Sequence, residues 1–197
     1  MTMKRTVDFL FEIGMLKQTP RTGFQFLGTG AESVAGHSFR TAVIGYTLGC
    51  LSEGADPAKT ALMCLFHDLP EARTADHNYV NKRYVEIDEA RALADQLEGL
   101  SFGDDIAAMV KEFNGCDTLE AKLAKDADQL DLILELKVQL DSGNPNANEW
   151  LTYAVQRLTS STGKAIAKTI LSSHSTDWWF DKETDWWINA SADSKRI

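Results

Sequence analysis

An all-α fold is predicted for this chain of 197 residues, on three observations. Nearly every segment repeats its apolar residues at helical spacing, no strand-type alternation persists, and helix start signals recur just ahead of apolar runs. The first helix is expected over Met3–Leu16, with Val7, Leu10, Phe11 and Met15 on one face. KQTPRTGFQFLGTGAES then brings Pro20, Gly23, Gly28 and Gly30, which is loop chemistry. A second helix begins near Ser33 and runs through HSFRTAVIGYTLGCL. The third opens with Asp56 as N-cap and Pro57 at the first helical position. Ala58, Ala61, Leu62, Leu65 and Phe66 recur along it at helical spacing, which predicts one apolar face. Pro70 disfavours helix at Leu69 and places His67 and Asp68 in or near the last turn.

Further helices are expected over YVEIDEARALADQLEGL, over DDIAAMVKEF with Asp104 as cap, and over TLEAKLAKDADQLDLILELKVQL. Asp117 with Glu120 resembles a capping box for the last of these. SGNPNAN is a linker too short to separate domains. Glu149–Leu158 and Gly163–Ser172 form two final helices. The tail repeats TDWW at Thr176 and at Thr184, read as two aromatic anchors that pack it down. One domain is expected over residues 1–197.

Lys and Arg number 20 against 29 Asp and Glu, a formal charge of -9. That balance lacks the cationic footprint of a nucleic-acid polymer or an anionic membrane surface. A small phosphorylated ligand remains compatible, since it needs one or two local cations or a metal. Cys50, Cys64 and Cys116 show no CxxC pattern; Cys50 and Cys64 read as buried thiols, and an odd unpaired set suits a reducing compartment. The N-terminal apolar stretch is interrupted by Asp8 and Glu12, so neither a signal core nor a membrane span is expected. A cytoplasmic protein follows.

Four histidines are present: His37, His67, His77 and His174. His37 and His67 lie on helices that flank the same expected core; His77 and His174 read as structural. Either of the first pair alone would be an ordinary hydrogen-bonded core residue, but acids accompany them. Asp68 adjoins His67, and the long helix carries Asp126, Asp128 and Asp131 among apolar neighbours, so at least one of the three points inward. Two imidazoles with two carboxylates suit a borderline or hard divalent cation: Mn, Co, Ni, Zn, Fe or Mg. Helical period leaves the fourth ligand open among the three aspartates.

The order His37, His67-Asp68, Asp128 resembles the H…HD…D pattern of the HD-domain metal-dependent phosphohydrolases. PRTGFQF, ESVAGHSFRTA, LFHDLPEARTAD and LEAKLAKDADQL are similar to the small branch that includes bacterial 5'-deoxynucleotidases. The resemblance runs from about Leu10 to Leu140, with a core near 30–141 and accessory helices and tail over 147–197. It implies a compact helical bundle with a single metal site, held by His37, His67, Asp68 and Asp128, with Asp126 and Asp131 solvated or behind the ligands. It departs from the branch at Gly36, a position often acidic there, which bears on substrate preference.

The same resemblance implies roles for further residues. Glu71 stands where a carboxylate can exchange a proton with water or the leaving oxygen; read plainly, it is a first-turn acid after Pro70. Asp76 matches a position close to the sugar, or is a turn aspartate beside His77. Arg21 is the expected phosphate ligand, or a surface arginine. Arg40 shares a helical face with His37 and can pair with an acid near the metal. Lys125 precedes Asp128 by one turn. Phe24 and Phe26 could stack on a base, or fold back onto the core.

The implied activity is hydrolysis of nucleoside 5'-monophosphates, deoxynucleotides in particular, with catalysis by Asp68 and Glu71. Cyclic dinucleotides, guanosine polyphosphates or nucleoside triphosphates are the alternative substrates. A non-catalytic nucleotide or metal sensor is the alternative of another class. The first helix and the tryptophan tail leave surface for a homodimer.

Overall fold

The computed structural model describes residues 2–180 and 183. Their order is α1 (Met3–Ile13), α2 (Phe24–Leu27), α3 (Val34–Leu51), α4 (Pro57–Phe66), α5 (Glu71–Thr74), α6 (Glu89–Leu97), α7 (Gly103–Gly115), α8 (Leu119–Asp141), α9 (Asn146–Gln156) and α10 (Ser161–Ser172). The one strand-type pairing among the described residues is an antiparallel bridge between Pro20 and Ser33. Beside it, Arg21 N donates to Glu32 O and Val34 N to Thr19 O, each at 2.9 Å. This bridge fixes the start of the glycine-rich loop against the foot of α3. No helix among these residues is long and apolar enough to cross a membrane.

The axis of the fold is α8, which packs against α3, α4, α7, α9 and α10. Leu123, Ala127, Leu130, Ile133 and Leu136 are buried along it. A second apolar cluster joins Phe9 and Leu16 to Leu69, Leu93, Leu97, Ile106 and Val110. Between them lies the α3–α4 pair. A Cβ on Gly49 would stand 2.5 Å from Pro57 Cα, and one on Gly45 would stand 2.5 Å from Cys64 Sγ. Two helices can approach this closely only where side chains are missing. The contacts run antiparallel, so one end of α3 meets the start of α4 and the other brings His37 beside His67.

Several expectations change. The α4 face set by Ala58, Ala61, Leu62, Leu65 and Phe66 is not the buried one: Leu62 and Leu65 are exposed, while Thr60, Met63 and Cys64 are buried. His67 continues that true face one turn on. The first helix stops at Ile13 and passes into a 3₁₀ turn over Gly14–Lys17. Its core residue is Phe9, whereas Val7, Leu10, Phe11 and Met15 face outward, Phe11 at 77% exposure.

Caps shift as well. Thr118, not Asp117, caps α8 by accepting from Ala121 N at 3.2 Å. Glu120 instead accepts from Asp56 N at 3.0 Å, tying the starts of α4 and α8 together. Asp104 lies inside the first turn of α7 and does not cap it; the helix begins at Gly103, where a Cβ would meet Leu97 O at 2.8 Å. The segment from Tyr84 is helical only from Glu89, capped by Asp88. Cys50 is exposed and Cys64 buried. Trp178 is 85% exposed, so the first TDWW does not bury its leading ring; the second, from Thr184, lies outside the described residues.

Candidate active site

His37 enters the site from α3, His67 and Asp68 from the end of α4, and Asp128 from the middle of α8. Each histidine has one ring nitrogen committed. His67 Nδ1 donates to the Cys64 carbonyl at 2.6 Å, and His37 Nδ1 donates to Asp131 Oδ2 at 2.6 Å. Such bonds fix the tautomer and leave both Nε2 lone pairs directed at a common point. The two Nε2 atoms are 3.4 Å apart. His37 Nε2 is 3.3 Å from Asp128 Oδ1 and 3.5 Å from Asp68 Oδ2, and His67 Nε2 is 3.1 Å from Asp68 Oδ2.

Four acceptor atoms this close repel one another unless a cation lies among them. Neighbouring ligands on an ion with bonds of about 2.1 Å stand roughly 3 Å apart. The donor set therefore fits one divalent metal in both spacing and chemistry. His37, His67 and Asp128 form the tight part of this cluster; Asp68 sits at its edge, where Oδ2 also accepts from Arg21 Nη1 at 3.3 Å.

The charges show the same demand for a cation. Burial opposes a proton on His37, yet Asp128 and Asp131 outweigh it and raise the imidazole to about 10. Burial also works against ionised Asp68, but His67, His37 and Arg21 hold it down at about 2. Asp128 is held well below the carboxylate range by His37, His67 and Arg21 against the same burial.

Behind His37, Asp131 is fixed by Arg40. Its Oδ1 accepts from Arg40 Nε at 2.5 Å, and Arg40 Nη1 donates to Glu135 Oε1 at 2.5 Å. Glu32 closes the ring 3.5 Å from Nη2. Asp131 thus lies behind His37, on the side away from His67 and Asp128. Asp126 does not fit that description: it is 1% exposed and accepts from the backbone N and hydroxyl of both Thr159 and Ser160. It anchors the turn into α10. Among the three aspartates, Asp128 is the one that groups with both His37 and His67.

His67, Asp68 and Asp128 open onto a cleft of about 290 Å³ that Arg21, Glu71, Asp76 and Lys125 also line, while His37 is fully buried behind them. Glu71 is buried and its Oε2 has no hydrogen-bond partner. Burial, then the charges of Asp68 and Asp76, push its carboxyl up to about 9. Asp76 accepts from Thr22 N at 2.6 Å and Thr22 Oγ1 at 3.1 Å, which pins the Arg21 loop to the segment after α5. Between Glu71 and Asp76 the chain passes Ala75 at φ 62 and ψ 164, a conformation ordinarily left to glycine. Lys125 Nζ sits 3.7 Å over the Phe113 ring.

Sequence reasoning placed Arg21, Glu71 and Asp76 at one site, and they do share it. Phe24 both packs on the core and lines the cleft, while Phe26 is exposed. His77, read as structural, lines the cleft while bonding Thr74 O at 2.8 Å. Trp150, Tyr79 and Gln129 were missed. Leu132 and Leu136, also lining, carried a signal in their spacing of four and eight residues from Asp128; Trp150 carried none.

The HD domain family matches residues 13–170. A 5'-deoxynucleotidase of Dictyostelium discoideum is 32% identical over 145 residues, 68% of this chain and 76% of its own length. One of Schizosaccharomyces pombe is 29% identical over 140 residues, covering 66% and 70%. A conserved hypothetical protein of Pyrococcus furiosus superposes with a TM-score of 0.73 at 30% identity, over 85% of this chain and 99% of that one. A predicted metal-dependent phosphohydrolase of Magnetospirillum magnetotacticum superposes at 0.67 and 21% identity, over 86% and 90%; that likeness concerns the fold.

Proposed function

The chain belongs to the HD-domain family, and on that premise we propose that it is a divalent-metal-dependent phosphohydrolase of nucleoside 5'-monophosphates, deoxynucleotides in particular. The observation that carries the reading is the convergence of His37, His67, Asp68 and Asp128 beside a buried, unpartnered Glu71 carboxyl. The similarity to proteins named 5'-deoxynucleotidase supports the substrate class.

His37 Nε2, His67 Nε2, Asp68 and Asp128 would hold Mn, Co, Ni, Zn, Fe or Mg. A divalent ion bound there supplies Lewis acidity, making water a stronger acid and offsetting phosphate charge. The chain does the rest. Arg21 lines the cleft beside Asp68 and grips phosphate oxygens. With a divalent ion offsetting the Asp68 charge that helps keep the Glu71 carboxyl protonated, its Oε2, free of other bonds, would take a proton from the attacking water and return one to the leaving oxygen. Asp76 stands at the sugar. Burial of Glu71 keeps bulk water from competing for its carboxyl.

The test is phosphate release from ribo- and deoxyribonucleoside monophosphates, metal-stripped and then with added Mn, Co, Mg or Zn, beside Asp68→Ala. Metal-dependent release that disappears in the variant supports the reading. No release with any substrate while metal is bound rejects it.

A cytoplasmic homodimer is part of the proposal. Phe39, Val43 and Tyr46 form an exposed apolar stripe on α3, which a second copy could cover. Sedimentation of the wild type beside Phe39→Glu decides it, a monomer in both cases counting against the dimer.

A further inference from the structure

We propose that Lys125 is a second cation on the phosphoryl group and that, with Arg21, it selects phosphomonoesters over phosphodiesters. The inference rests on the phosphohydrolase reading above and narrows its substrate class. Lys125 stands three residues before Asp128 on α8, so the two share a helical face, and both line the cleft. Its ammonium is anchored: Nζ lies 3.7 Å over the Phe113 ring. That ring is buried, and its centroid is 4.8 Å from that of the His67 imidazole. The cation is thereby kept beside the metal position.

Lys125 differs from the neighbouring cations in what it lacks. Arg21 reaches Asp68 at 3.3 Å, Arg40 is held by Asp131 and Glu135, and Lys82 is exposed to water. Lys125 is half-buried, and its Nζ has no hydrogen-bond or ion-pair partner among the described residues. Glu89 lines the same cleft but is exposed and does not reach it. Burial works against the charge of Lys125 and outweighs the pull of Asp128. A half-buried ammonium that faces a cleft in this state calls for an anion.

Charge matching identifies the anion. Asp68 and Asp128 cancel the charge of a divalent ion held between them, which leaves Arg21 and Lys125 as the cations facing the substrate. A phosphomonoester carries about 1.5 to 2 negative charges at pH 7 and matches both. A diester carries one and leaves a cation without its counter-charge. Nucleoside monophosphates therefore suit this cleft better than cyclic dinucleotides, whose phosphates are all diesters.

The experiment compares wild type, Lys125→Met and Lys125→Arg, each loaded with Mn. Methionine keeps an unbranched stem over Phe113 without the charge, and arginine keeps the charge. In calorimetry, Lys125→Met should bind inorganic phosphate about 10- to 100-fold more weakly than wild type. Lys125→Arg should stay close to wild type, and all three should hold Mn with equal affinity. The ratio of kcat/KM for thymidine 5'-monophosphate to that for its 4-nitrophenyl diester should fall in Lys125→Met and recover in Lys125→Arg. Equal phosphate affinity in all three proteins, or an unchanged ratio, overturns the proposal. Weakened Mn binding in Lys125→Met also overturns it, since Lys125 would then act through His67. Should wild type hydrolyse no nucleotide, the phosphohydrolase reading fails. Phosphate binding that is lost in Lys125→Met and kept in Lys125→Arg would still support the anion site.

Discussion

Asp131 holds His37 from behind, its Oδ2 2.6 Å from Nδ1, and is itself held by Arg40. The pair spans two helices, so it sets ring orientation and the α3–α8 spacing together.

Replacing Asp131 with Asn keeps the shape but removes the charge that Arg40 and the imidazole share. Metal affinity should fall about 10- to 100-fold, with helix content unchanged by circular dichroism. Calorimetric titration with Mn or Co checks this, and wild-type affinity in the variant would refute the positioning role.

Glu71 links pH to stability. Its folded carboxyl titrates near 9, against 4.5 for the ordinary group. Between those values the folded chain keeps a proton that the unfolded chain releases, so stability declines as pH rises through that window. Glu71→Gln has no such proton to lose. In metal-free protein its Tm should gain on the wild type from pH 5 to 9; parallel curves would contradict the assignment. With metal restored, turnover should drop by roughly 10²- to 10⁴-fold while metal content stays the same.

At Ala75 the backbone occupies φ 62 with ψ 164. Glycine removes the steric penalty, at the expense of some chain entropy, so Ala75→Gly should stabilise by about 1 kcal/mol. Thermal unfolding is the measurement, and a lower Tm would show that surrounding contacts already relieve the strain.

Asp126 and Asp128 should separate cleanly. Asp126→Ala strands the backbone N–H groups of Thr159 and Ser160, which should cost roughly 2–4 kcal/mol of stability. The folded fraction should still bind Mn or Co with native affinity. Asp128→Ala should do the reverse, lowering affinity first; weakened metal binding in Asp126→Ala would reopen the choice of ligand.

How much of this could be read from residues alone differs by element. The convergence of His37, His67 and Asp68 with an aspartate of α8 was legible because ionisable side chains on apolar helices need partners; helical period left three aspartates open there, and only the resemblance of the flanking words pointed to Asp128. On α4, two sets of residues had helical period. Ala58, Ala61, Leu62, Leu65 and Phe66 carry the more apolar set, but the close approach of Gly45 and Gly49 turns the face of Thr60, Met63 and Cys64 inward. Caps depend on one residue's dihedral angles: Thr118 is extended at φ -82 and ψ 165 and so accepts from Ala121 N. Trp150 was out of reach, since its direction follows from how α9 packs on α8.

The contact of Gly49 with Pro57 bears on tolerance to change. At this end backbone atoms of Pro57 determine how near α3 comes to α4, and further along the Cys64 side chain seated on Gly45 does. Exchanging Leu48 or Met63 for another apolar residue would alter the packing around this seam while leaving the distance between the two imidazoles nearly as it is. The reactive centre is thereby insulated from drift in the core. Gly49 and Gly45 are the exceptions: a single methyl group at either would press the two helices apart, and at Gly49 the wedge at one end would be felt at the other.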